Sequence, residues 1–219
     1  MGRHVAVLLV VLSVLAASCG DDGEVATPAP TVLDDSGEPV VDEFGCAVVE
    51  QPAPTLLPVG ELIAYENEGA GHEGCPETLF SHSPPTSGNH FGFWQNCGFY
   101  TAPIRDYAAV HSLEHGVVWI AYQPDLTADE VGAIEARMEG ETHLLAAPYP
   151  GLENPIVLSA WTRQLAVDRW SDPLVEEFLG DFTGRLSTTA PEAGASCDGA
   201  LGAAPDQPLL NYEAILASL

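Results

Sequence analysis

The seven residues Val110 to Gly116, VHSLEHG, set two histidines four residues apart and a glutamate directly before the second. On a helix, positions i and i+4 lie one above the other, with Cβ atoms about 5–6 Å apart. His111 and His115 can therefore turn two imidazoles toward one ion without distorting the backbone. A transition metal needs a third and often a fourth ligand from elsewhere. The nearest source is His90, with His82 eight residues before it as a further candidate. Glu114, reaching back over i, i+3 to His111, suits the role of holding an imidazole N–H and fixing the ring. Imidazole-rich ligation without a set of carboxylates suits copper or zinc better than calcium or magnesium. Met138 and His143 are alternative donors. Met138 shares a helix face with Val131 and Ile134 and reads as core filler, while His72 and His143 read as ordinary surface or hydrogen-bonded histidines.

HSLEH also fits the H-x-x-E-H pattern of inverted zinc peptidases, in which two histidines hold zinc and the glutamate is the base. Those enzymes continue the helix and draw a further carboxylate from a second one. Here Gly116 and an apolar strand follow at once, and Glu176 or Glu177 would have to be recruited with no motif around them. Catalysis, with Glu114 as the base of a metal-dependent hydrolase, is thus the weaker reading, and metal binding the stronger. A third reading needs no metal: the aromatic run Phe91 to Tyr100 contacts an envelope protein or a cell-wall ligand, and the histidines only cap and pack.

The residues that must position this chemistry fall into recognisable elements. Arg105 to His115 reads as a short helix closed by Gly116. VVWIAY, Val117 to Tyr122, is a β-branched and aromatic run fit for a buried strand. Thr127 to Gly140 reads as a helix with a Thr127–Glu130 capping box and Val131, Ile134 and Met138 on one face. His143 to Ala147 and Ile156 to Trp161 are strand candidates, with a short one at Leu62 to Tyr65. In SDPLVEEFLGDF, Ser171 or Asp172 caps a helix that has Pro173 in its first turn. A last helix is expected over Pro208 to Leu219. This order predicts an α+β fold: a small, mostly antiparallel sheet with helices packed on one face, preceded by a long loop region stapled by disulfides. No internal repeat is read.

The loop region, from His72 to Pro103, is dense in Pro, Gly and aromatics and carries three of the histidines; a loop of this length in a compact domain is often functional. Four cysteines, Cys46, Cys75, Cys97 and Cys197, lie beyond the N-terminal segment. An even count in an exported chain suggests two disulfides with three possible pairings, of which Cys46–Cys75 with Cys97–Cys197 is favoured. Zinc ligation by these cysteines is disfavoured by the lack of a C-x-x-C pair.

The address comes from the N-terminus. A basic start, an apolar run from Val5 to Ala17 too short to span a bilayer, and small residues after it describe a signal peptide over residues 1–18. Leu15-Ala-Ala-Ser-Cys19 resembles a bacterial lipobox, with Ala16 where that pattern usually carries Leu, and makes Cys19 the lipidation site. Residues 19–45, rich in Asp, Glu, Pro and Gly, read as a flexible tether, and residues 46–219 as one globular domain. The expected location is therefore extracytoplasmic, on the membrane through the Cys19 lipid. The 219 residues carry a formal net charge of −26 and no lysine. Such a surface excludes nucleic acid as a partner, since that affinity comes from Lys and Arg on phosphates, and it attracts cations.

SPPTSGNH (Ser83 to His90), NCGFY (Asn96 to Tyr100), VHSLEHGVVWIAY (Val110 to Tyr122) and VLSAWTRQLAVD (Val157 to Asp168) together resemble DUF3105, a bacterial family of exported or membrane-anchored domains without an assigned function. The resemblance covers roughly residues 75 to 195. It implies a single envelope domain and marks His90, His111, Glu114, His115 and Gly116 as motif positions, with His82 just outside the motif. It implies no particular metal, substrate or activity.

Overall fold

The computed structural model describes residues 31–211 and Ile215. The expected signal peptide, the expected lipidation site Cys19 and most of the expected tether lie outside the described residues. So does most of the expected last helix: within it, residues 208–211 form turns, and Ile215 packs with Phe91, Phe93 and Leu201.

Six strands form one mixed sheet: β1 (Leu62–Ala64), β4 (Gly98–Phe99), β5 (Val118–Tyr122), β6 (Leu144–Pro148), β7 (Ile156–Ala160) and β8 (Arg163–Val167), in the order β1-β8-β7-β5-β6-β4. The β1–β8, β8–β7 and β7–β5 pairs are antiparallel, while β5–β6 and β6–β4 are parallel. β5 is central and every residue in it is buried, because both of its faces are covered. Val118, Ile120 and Tyr122 point into a core shared with α2 (Ala128–Met138) and α3 (Pro173–Phe182). Trp119 and Ala121 point the other way, onto Ala109, Val110 and Leu113 of α1 (Asp106–Glu114). The helices thus lie on both faces rather than one. This follows from the run of apolar residues in β5, which has no solvent face to offer.

The caps of α2 and α3 match their sequence signals in part. Thr127 accepts the Glu130 amide, but the Glu130 carboxylate does not reach back; it takes the Trp170 amide at 2.7 Å and ties α2 to the start of α3. Asp172 rather than Ser171 caps α3, accepting the Leu174 amide, with Pro173 in the first turn. α1 has no side-chain cap and only nine residues, too few to be stable alone. Burial of every residue from Ala108 to Glu114 holds it helical. Ser112 adds a bond from its hydroxyl to the Gln95 carbonyl at 2.7 Å.

The disulfides are Cys46–Cys75 and Cys97–Cys197, the favoured pairing. The described residues include structure well before Cys46. Residues 32–39 and 40–47, VLDDSGEP and VVDEFGCA, form two successive turns of the same design. Asp34 Oδ1 accepts from the Ser36 and Glu38 amides, and Asp42 Oδ1 from those of Phe44 and Cys46. Gly37 and Gly45 take φ of 83° and 80°. This is a short internal repeat of period eight, hidden by an acidic, proline-containing composition. Phe44 then packs on Phe91 and Phe93, and Glu43 pairs with Arg105, fixing what reads in sequence as the end of a tether.

Candidate metal centre

Two very short strands of the loop region, β2 (His72–Glu73) and β3 (His90–Phe91), pair in parallel with His72 opposite His90. Neighbouring residues on paired strands share a face, so the two imidazoles lie side by side. Asn89 clamps the pair: its Oδ1 accepts the Gly71 amide at 3.1 Å and its Nδ2 donates to Glu73 at 2.7 Å. The proline-rich turn before β3 is fixed on the β7–β8 hairpin. Buried Gln164 donates to the Pro84 carbonyl, and the Thr162 amide donates to that of Thr86. Against β3 lies the C-terminal half of α1, presenting His111 and Glu114.

These elements bring His72, His90 and His111 together, with one ligand nitrogen from each lying within 4.8 Å of the others. The His72 and His111 rings stack at 4.5 Å, and His90 meets both edge-on at 5.0 Å. Tetrahedral zinc with imidazole ligands at about 2.0–2.1 Å needs nitrogens about 3.3 Å apart, so shifts of about 1 Å close the group on an ion. His90 and His111 are buried, whereas the His72 side chain is 44 % exposed and forms the solvent side of the group.

The tautomers suit ligation. His90 Nδ1 donates to the Gly88 carbonyl and His111 Nδ1 to the Phe91 carbonyl, each at 2.7 Å. A carbonyl only accepts, so Nδ1 of each ring carries a proton, and in the neutral ring Nε2 keeps its lone pair. Burial lowers the His111 pKa to about 4, opposed by its bond to Phe91 and assisted by the charges of His90, His115 and His72. This ring is a neutral ligand at ordinary pH.

Glu114 Oε2 lies 3.0 Å from His72 Nε2 and 3.2 Å from His90 Nε2. Burial alone would raise its pKa, but the hydrogen bonds and positive charge that His90 and His72 supply when protonated outweigh this and hold it at about 2. Glu114 therefore reaches across to two loop imidazoles instead of back to His111. It stands where it can serve as a fourth ligand or clamp two of the three rings.

Of the expected ligands, His90 and His111 are in the group and His115 is not. Its ring stays near His111, 4.8 Å between centroids, as the i, i+4 spacing requires. The Nδ1 of His115, however, donates to the Ser196 carbonyl at 2.6 Å, and its Nε2 lies 3.5 Å from Glu192. The 192–197 segment that draws it away is held by the Cys97–Cys197 disulfide and by amide bonds from Glu192 to Glu114 O and from Gly194 to His115 O. His82 is also elsewhere: it stacks on Tyr65 at 3.7 Å, with its Nε2 3.1 Å from the Thr86 hydroxyl, and burial lowers its pKa despite nearby Glu68. Met138 lies in the α2 core, and His143 bonds to Thr142 and the Ala195 carbonyl. The third histidine, His72, had only one sequence signal, its place in a histidine-rich loop three residues before a disulfide cysteine.

The site also explains Gly116. Its φ of 87° is left-handed, and a Cβ there would lie 2.6 Å from the Gly184 carbonyl oxygen. Glycine lets α1 end abruptly and the chain enter β5, with the Gly184 amide donating to Gly116 O at 2.7 Å.

The chain belongs to the DUF3105 family, described as a protein of unknown function, whose model matches residues 74–199, more than half of the chain. His90, His111 and Glu114 lie inside the matched region, and His72 lies two residues before it. Comparison with curated proteins and with solved structures finds no match.

Proposed function

We propose that this protein is an extracytoplasmic domain, anchored by a lipid on Cys19, that binds one transition-metal ion through His72, His90 and His111 with Glu114 beside them, and that it serves metal handling at the envelope. The observation that carries this reading is the convergence of three imidazoles, two of which have Nδ1 fixed on a backbone carbonyl and Nε2 left for an ion. Cys46, Cys75, Cys97 and Cys197 are all oxidised to disulfides, so none supplies a thiolate. Nitrogen and carboxylate donors suit zinc or copper(II) better than copper(I), which favours sulfur.

Metal analysis of protein purified without a histidine tag tests this. Wild type and His115→Ala carry close to one equivalent of zinc or copper, while His72→Ala, His90→Ala and His111→Ala lose it. The same trace of metal in all five would instead support a metal-free interaction module. The anchor is tested by Cys19→Ala, which moves the protein from the membrane fraction to the soluble one; unchanged partitioning rejects it.

A further inference from the structure

Phe91, the residue after His90, faces away from the histidines and lines a cleft of about 370 Å³ between the start of α1 and the 42–54 segment. That volume is within the range of small-molecule sites. Pro54, Pro103, Ile104, Tyr107 and Tyr149 make it largely apolar. Asp106, in the first turn of α1, contributes a carboxylate whose Oδ2 accepts the Tyr149 hydroxyl at 3.0 Å. Its neighbouring cation, Arg105, is engaged with Glu43 through both Nε and an Nη. Ser83 lines the same cleft, only 7 % exposed, and its Oγ, near the Tyr149 hydroxyl, makes no hydrogen bond of proper geometry.

The sign of that group follows from the charges. Burial raises the Asp106 carboxyl to about 6, against the Tyr149 bond and the Arg105 charge. Tyr107 is raised first by its own burial and then by the charges of Asp106, Glu73 and Glu77, so the field at this end of the cleft is negative. The chain as a whole adds to it. Aromatic rings beside a carboxylate, with the Arg105 of the lining already paired to Glu43, are surroundings that recognise an organic cation.

We propose that this cleft binds an organic ammonium, with the cationic head beside Asp106 and the rings of Tyr107 and Tyr149, and a small apolar body along the proline wall. The site is separate from the histidine cluster and does not depend on a metal there. One wall, residues 42–54, lies outside the region matched by the family model.

A ligand-observed NMR titration of the full-length protein with choline and with its uncharged isostere 3,3-dimethylbutan-1-ol tests the proposal. Choline binds saturably, and the isostere binds about ten-fold more weakly or not at all. Asp106→Asn, which keeps an acceptor for Tyr149, weakens choline by about the same factor. Equal binding of the two probes, no saturable binding, or full affinity in Asp106→Asn overturns the proposal. Should Asp106→Asn fail to fold, the amide signals of Ile104 and Tyr107 in the wild type decide: they shift with choline and not with the isostere, or the proposal falls.

Discussion

Nε2 of His90 and Oε2 of Glu114 lie 3.2 Å apart, although His90 already donates its Nδ1–H to the Gly88 carbonyl. A neutral imidazole carries one N–H, so two acceptors would face each other across this gap. The contact is stable only around a cation, either a second ring proton or a metal ion. Glu114→Gln keeps the shape and removes the charge. It is expected to lower affinity for zinc or copper by about 10–100-fold, the range seen when a group supporting a metal ligand is lost. Chelator competition on the purified variant measures this, and an affinity equal to wild type would remove Glu114 from the site.

Acid sensitivity of the metal-free protein follows from two groups with opposite effects. His111 has a folded pKa of about 4 against an ordinary 6.5, so between those values the unfolded chain binds a proton that the native one refuses. Stability therefore rises with pH across that window. Asp106 runs the other way: with a folded pKa of about 6 against 3.8, the native state holds the extra proton, and stability falls as pH rises between them. His111→Asn should flatten the climb in melting temperature between about pH 4 and 6.5, and Asp106→Asn should steepen it. Thermal melts in the presence of chelator, taken across this range, check both signs. Parallel curves for the two variants would mean that neither group governs the slope.

Much of the scaffold is legible in the sequence because it rests on local chemistry. VVWIAY reads as a buried strand because it has no polar face, and Asp172 with Pro173 marks the start of α3 before any contact is known. β8 is harder to read. Its first residues, Arg163 and Gln164, look like a polar turn, yet Gln164 is buried and serves Pro84, Ser159 and Tyr65 at once. The site is legible only by half. The i, i+4 spacing does place His111 beside His115, but which ring faces the other histidines is decided by Ser196, 81 residues later, and its disulfide. His72 joins through a two-residue parallel pairing to a strand 18 residues away, and no periodicity reports such a contact.

Gly116 and Gly140 allow the backbone and steric contributions at a helix end to be separated. Both are left-handed, with φ of 87° and 80°. A Cβ at 140 meets nothing within 4 Å, whereas one at 116 lies 2.6 Å from Gly184 O. Gly140→Ala should cost only the left-handed penalty of about 1–2 kcal/mol, a melting shift of several degrees for a domain of this size. Gly116→Ala should cost clearly more and should also weaken metal binding, because the end of α1 that carries His111 and Glu114 must move. Equal melting temperatures for the two variants would show that the Gly184 contact relaxes freely.

The two disulfides should separate stability from site geometry. In the chain-entropy model the loop of 100 residues closed by Cys97–Cys197 stabilises by about 4.7 kcal/mol, against about 3.6 kcal/mol for the loop of 29 closed by Cys46–Cys75. The longer bridge anchors Ser196 and so governs His115, which is outside the histidine group. The shorter one joins the turn repeat to a point three residues beyond His72, the most exposed member of the group, which sits on a strand of only two residues. Replacing Cys97 and Cys197 by alanine should therefore give the larger loss of stability in denaturant and leave metal affinity close to wild type. Replacing Cys46 and Cys75 should give the smaller loss of stability and the larger loss of affinity. Denaturant titration and chelator competition on the same two double variants test the pair of orderings. If both variants lose affinity only in proportion to stability, β2 does not depend on its disulfide to hold His72 in place.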